Sequence, residues 1–392
     1  MSRPCLAVAL ALLSVNVASV TAQPPRQTQA DDYTRYELLA PGSGKFRILY
    51  EVSATTAGAT QFFNPIRKGS VASDERVIDL MTGAPLAFDV VGGRLAREGG
   101  VRNADTTGQY IRVRLGRAVP RDGESRILID KTYFDTVSYR LLGDTLAFDR
   151  PLGIKRNAVV LPPGYELISC NFPSQVLQQA DGRVAISFWN TTPSEAALQL
   201  RARRSSAALS RVATLTPELR RRLDERAHQT REIVYYLQQP ETHAFDLYHD
   251  YTETRAGIDR YLNVVRAGST VSNPRAVNLD TGEELRFEVQ RGDSEVVVFH
   301  FTAPKQGESV RLRMFETYTD TARYRLVDDE LVWDRSFGRP ANAVVLPAGW
   351  ALTNSSIPGT ISTLPDGRVR LDFINPRPDE IAVLITARRR AR

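Results

Sequence analysis

The sequence predicts an all-β protein made of two tandem homologous antiparallel β-sandwich domains joined by a short amphipathic helix. Three observations carry that reading. The text from Tyr139 to Arg203 is written again from Tyr324 to Arg388 at a constant offset of 185, and from Lys131 opposite Glu316 onward 32 of 73 aligned positions are identical, far above chance for an ungapped match. Within each copy, short runs alternate apolar and polar residues between Gly, Pro and Asp punctuation, which is the period of strands. Only the segment between the copies has a helical period.

At the start of the chain, Arg3 provides a basic n-region, Leu6 to Val20 an apolar run, and Val20-Thr21-Ala22 a small-residue cleavage site, so residues 1–22 are expected to be a secretory signal. Ser14, Asn16 and Ser19 dilute the run below the roughly 20 clean apolar residues of a membrane span. No transmembrane span is therefore expected once the signal is cleaved, and the protein is expected in the periplasm or outside the cell. One cysteine then remains, Cys170, which rules out an internal disulfide framework and leaves stability to ordinary cores. The formal charge of +6 comes from 46 arginines and only five lysines, Lys45, Lys68, Lys131, Lys155 and Lys305, against 45 acids. That skew is most simply codon bias in a GC-rich bacterial genome, and the scatter of the arginines does not support specific nucleic-acid binding.

The first copy begins before the long match. Tyr36, Phe46, Asn64, Arg67 and Thr82 recur as Tyr235, Phe245, Asn263, Arg266 and Thr281 at an offset of 199. The change of offset places an insertion of 14 residues (199 − 185) in copy one, a long hairpin loop at 91–107 rich in Gly and polar residues. The chain thus divides into signal 1–22, a short linker 23–32, a first sandwich 33–204, a linker 205–231 and a second sandwich 232–392. Phe46, Ile48 and Tyr50 alternate with polar neighbours, as do Phe245, Leu247 and His249, so one face of each sheet is buried. Asp181-Gly182 and Asp366-Gly367 signal two-residue hairpins of type I′. In the linker, Thr216 before Pro217 starts a helix over 217–230 whose Leu219, Leu223 and Ala227 are expected to pack on a domain.

The copies supply an internal comparison for candidate sites. Asp149, Arg150, Asp334 and Arg335 recur at matching positions, as do Asp135/Asp320 and Asn157/Asn342, first as turn and ion-pair residues and second as a ligand site present in both domains. Trp189, on the outward side of its strand, is a candidate to stack on a sugar or anchor a partner protein. Nucleophile elbow, P-loop, dinucleotide and zinc motifs are absent. Asp280-Thr281-Gly282 spells an aspartic-protease triplet, but its counterpart Met81-Thr82-Gly83 lacks the second aspartate that such chemistry needs. His228, His243, His249 and His300 have no histidine counterparts, and none is expected to bind metal. Arg291-Gly292-Asp293 and the Asn190 and Asn354 sequons are short enough to arise by chance. No cofactor is implied. The expectation is an exported, non-catalytic binding or structural protein whose partner is a carbohydrate or another exported protein. The alternative is a secreted hydrolase with acidic residues in the interdomain cleft.

Overall fold

The computed structural model describes residues 24–192, 194–205, 215–292 and 294–390; the expected signal segment and Asp293 lie outside these. Each half is a sandwich of one large sheet against two small ones. In the first half the large sheet runs Gln175–Gln178, Val184–Trp189, Arg156–Val160, Gln29–Leu38, Lys45–Ala54, Ser125–Phe134, Val71–Asp79. The second half repeats this as Thr360–Thr363, Val369–Ile374, Ala341–Val345, Glu232–Leu237, Ala244–Glu253, Val310–Thr319, Thr270–Asn278, and adds the edge strand Glu283–Glu284. The duplication therefore holds strand for strand, through the offset change included.

Alternating inward residues of the three sheets interlock to form each core. Phe46, Ile48 and Ile129 meet Phe148 and Leu200 of the small sheets in one half, and Phe245, Leu247 and Met314 meet Trp333 and Ile385 in the other. Ladders are antiparallel except that Gln29–Leu38 lies parallel to Arg156–Val160, and Glu232–Leu237 parallel to Ala341–Val345. These partners are the continuous apolar runs Ala158-Val159-Val160 and Ala343-Val344-Val345, buried on both faces as parallel strands usually are.

Several local expectations are corrected. The linker helix covers only Pro217–Arg221, capped by Thr216, whose hydroxyl accepts from the Leu219 amide at 3.3 Å. Leu219 and Leu223 are exposed, so of the expected stripe Ala227 alone packs on a domain, and a single helical turn has little stability of its own. The chain instead turns after Arg222 and docks Ala227 between Tyr33 and Ala158. Buried Arg226 accompanies it and donates to the carbonyl of Gly338 at 3.2 Å. The loop at 91–107 joins a strand pair as expected, but it contains the helix Gly93–Glu98 and a small core of Phe63, Ala96, Ala104 and Tyr110. Gly93 allows this, because a β-carbon there would meet the Asp105 carbonyl at 1.7 Å. The Asp181-Gly182 turn is not type I′: of the two only Gly182 has positive φ, at 83°, while the Asp181 carboxylate accepts from the Arg183 amide. Asp366-Gly367 repeats this.

The halves meet through equivalent segments of the two copies. Arg126 forks Asp280 at 2.9 and 2.8 Å, and its counterpart Arg311 reaches back to Glu124 at 3.1 Å. Backbone bonds follow the same exchange, with the Glu124 amide donating to the Leu279 carbonyl and the Ser309 amide to that of Met81. Arg117 adds a bond to the Asp280 carbonyl at 2.7 Å and one to Asp79 at 2.9 Å. Asp280 is fully buried, so its carboxylate relies on these protein partners rather than on water. Arg126→Ala is expected to cost roughly 3–5 kcal/mol by leaving that carboxylate buried and short of its main partner. In urea, followed by both tyrosine fluorescence and circular dichroism, the two halves should then unfold in separate transitions. An unchanged single transition would mean that the fork contributes no net stability.

Candidate functional site

The strand Ser125–Phe134 turns Ile127, Ile129, Lys131 and Tyr133 to the same side, all of them buried. Lys131 is the anomaly, an amine on an apolar face. Its Nζ donates to Asn64 Oδ1 at 2.6 Å and lies 5.0 Å from the centre of the Tyr133 ring. Among the described residues it has no ion-pair partner. Burial pushes its pKa down from 10.5 to about 7, and the neighbouring charge of Arg150 adds to the effect.

Arg150 enters the core from the opposite sheet. Its Nη1 donates to Asp135 at 2.9 Å and Ser138 Oγ at 3.2 Å, and its guanidinium lies 5.3 Å from the Phe46 ring and 5.5 Å from that of Tyr133. Between the sheets a cavity of about 360 Å³ remains, with Lys131 and Arg150 inside it and Tyr36, Tyr50, Ile48 and Leu152 in its walls. Arg67 and Glu195, 3.5 Å apart, also line it and are its more exposed ion pair.

The second half holds a cavity of about 270 Å³ at the same place. Tyr235, Leu247, Asn263, Arg266, Tyr318, Arg335 and Glu380 line it, matching Tyr36, Ile48, Asn64, Arg67, Tyr133, Arg150 and Glu195 of the first. Arg335 donates to Asp320 at 2.9 Å, and Arg266 pairs with Glu380 at 2.8 Å. The interior chemistry differs. Glu316 replaces Lys131 and accepts two bonds from Asn263 at 2.9 and 2.7 Å. His249 replaces Tyr50, with Nε2 3.7 Å from Glu316 and Nδ1 2.7 Å from Arg339. An arginine can only donate, so Nδ1 accepts and the ring proton sits on Nε2. Burial, then the charge of Arg339, push the His249 pKa down to about 4, so the ring is neutral at pH 7.

The residues singled out from sequence separate. Asp149 and Arg150 are neighbours on one strand and so face opposite sides: Arg150 enters the cavity, while Asp149 binds Arg140 at 2.6 Å and Arg201 on the outer surface. Asp334 is exposed and Arg335 buried in the same way. Trp189 is half-buried, packed on the cluster of Tyr33, Ala158 and Ala227 beneath the linker, and borders a cleft of about 520 Å³ at the seam between the halves. There Thr360 Oγ1 donates to the Thr191 carbonyl at 3.1 Å across the seam. His243 precedes its strand in a left-handed conformation, with Nδ1 2.8 Å from the Tyr324 carbonyl. Motifs give no sign of Lys131 or Glu316, yet a signal is present in the sequence: each puts a charge in phase with an apolar strand face, at the same aligned position.

No family model matches the chain, and no curated protein matches it. Among solved structures the similarity is weak. An aminopeptidase N family protein from Idiomarina loihiensis is 10% identical over 40% of this chain and 29% of its own, with a TM-score of 0.27. An M1 zinc metallopeptidase from Deinococcus radiodurans is 16% identical over 40% and 41%, at 0.26. A collagen adhesin from S. aureus is 8% identical over 79% and 87%, at 0.18. The chain thus spans less than half the length of the two peptidases, and likeness of this degree carries no argument about its chemistry. Among the described residues no helix is long and apolar enough to cross a membrane.

The two buried bases bias stability in the same direction. Between about pH 7 and 10.5 the unfolded chain holds a proton on Lys131 that the folded chain does not, so stability rises with pH across that window. Between about pH 6.5 and 4 the unfolded chain likewise holds a proton on His249 that the folded chain, where burial disfavours the charged ring, does not, so stability is lost as pH falls. Across either window stability changes by about 1.4 kcal/mol for each step of one in pH. Lys131→Met is expected to stabilise the protein at pH 6–7 by a margin that shrinks towards pH 10, and His249→Gln to flatten the acid branch. Urea midpoints across a pH series measure both, and a pH-independent gap for Lys131→Met would contradict a buried amine.

Proposed function

We propose that the chain is an exported, non-catalytic binding protein whose two sandwich halves each receive a small ligand in the cavity between their sheets. The observation that supports this most is recurrence: the same cavity, with matching tyrosine, asparagine, arginine and glutamate side chains, persists in two halves whose interior charges have diverged. A packing defect has no reason to keep an ion pair at its mouth twice. The first cavity, about 360 Å³ with apolar walls and a few convergent polar groups, is of the kind that suits small molecules, while the second, about 270 Å³, is lined mainly by charged and polar side chains. Export rests on the signal pattern of residues 1–22.

The hydrolase reading has less support. Its acids would lie between the halves, where Asp280 is forked by Arg126, Glu124 faces Arg311, and Glu232 and Asp372 share Arg370 at 3.8 and 2.7 Å. A carboxylate engaged by arginine in this way has its oxygens already committed to a partner. A sugar stacked on Trp189 would have to enter the seam rather than sit on an open face.

Screening a metabolite and glycan library by thermal shift, with recovered ligands checked for chemical change, tests the proposal. A ligand bound and returned unaltered, lost in Arg67→Ala or Arg266→Ala but kept in Trp189→Ala, is the expected result. Loss in Trp189→Ala alone would move the site to the seam. Ligand recovered in altered form would establish an enzyme.

A further inference from the structure

Although the two cavities share one frame, they are not equivalent in charge. In the second, Glu316, His249 and Arg339 form a chain of contacts that neutralises itself, with Asn263 completing the shell around the carboxylate. In the first, Arg150 is matched by Asp135 and Arg67 faces Glu195, which leaves the Lys131 amine with no ion pair among the described residues, Glu75 acting on it only from beyond contact. Asn64 supplies one acceptor to a group with three donors. The other two donors belong to a side chain that is 4% exposed and lines a cavity roomy enough for a ring-sized molecule.

Resting on the binding reading above, we propose that the first cavity is a site for a small monocarboxylate, and that Lys131 is its counter-ion. The carboxylate would take the amine's free donors, its charge would offset the cost of keeping an ammonium out of water, and Tyr36, Tyr50, Tyr133 and Leu152 would enclose an apolar or aromatic body. The second cavity offers such a ligand no matching amine, because Glu316 stands in the place of Lys131 and the Arg339 cation is already engaged through His249. The duplication therefore made one frame into two sites of different specificity by exchanges at aligned interior positions, Lys131 for Glu316, Tyr50 for His249 and Ile154 for Arg339.

Benzoate, benzamide and benzylamine have nearly the same shape with charges of −1, 0 and +1, and titrating each into the full-length protein by calorimetry at pH 6.5 separates charge from fit. Benzoate is expected to bind at one site per chain, on the order of tenfold or more tighter than benzamide, which is the effect of one charge-assisted contact; benzylamine should not bind. Lys131→Met, which removes a buried charge and should fold at least as well, is expected to bring benzoate down to the benzamide level. A merely structural lysine would leave that ratio unchanged. Equal binding of benzoate and benzamide, an unchanged ratio in Lys131→Met, or two benzoate sites per chain would overturn the inference while leaving a binding protein. Absence of heat from all three probes, with melting curves showing folded protein, would also overturn it, and the library screen would then decide the binding reading separately.

Discussion

A buried arginine fixes the interior of each half. Arg150 and Arg335 rise from the small sheet into the aromatic core, each held by one aspartate, Asp135 or Asp320, and each set over aromatic rings of the large sheet, Phe46 or Phe245. A guanidinium in such a place demands polar partners and space for its planar fork, and a core of alternating side chains cannot close fully around it. The cavity beside it follows from that packing. So do the positions of Asn64, Lys131 and Tyr133 in one half and of Asn263, Glu316 and Tyr318 in the other.

The junction between the halves obeys a different requirement. Arg126 and Arg311 occupy equivalent positions and reach across to the opposite half, so the chain joins itself much as a symmetric dimer would. The exchange is not perfect: Arg126 meets the wholly buried Asp280, whereas Arg311 meets Glu124 and also Asp250 at 3.4 Å. Charges with so little access to water confer specificity of docking more surely than stability. They also engage the acids Asp280 and Glu124 at the junction with arginines from the opposite half.

Divergence is confined to few positions. The frame residues Tyr36, Asn64, Arg67, Arg150 and Glu195 all recur, while Lys131, Tyr50 and Ile154 become Glu316, His249 and Arg339. Exchanges of charge inside a cavity whose frame is kept alter what it can hold without altering the sheets around it. The insertion at 91–107 stands apart from this, because it builds its own small core against Phe63 and Tyr110 rather than entering the cavity.

The amino-acid sequence alone determined the duplication, the strands and the inward face of each, because repeat text and a period of two are local properties that survive without neighbours. It also put Lys131 in phase with Ile127 and Ile129, although no motif marks it. Only the tertiary structure decided that Arg150 and Asp149 part company, that Trp189 lies under the linker, and that Leu219 and Leu223 face water instead of a domain. It alone joined Lys131 to Asn64 and set Asp280 against Arg126. These are pairings between residues far apart in the chain, fixed by how sheets stack and halves dock, and no periodicity within a strand encodes its partner on another.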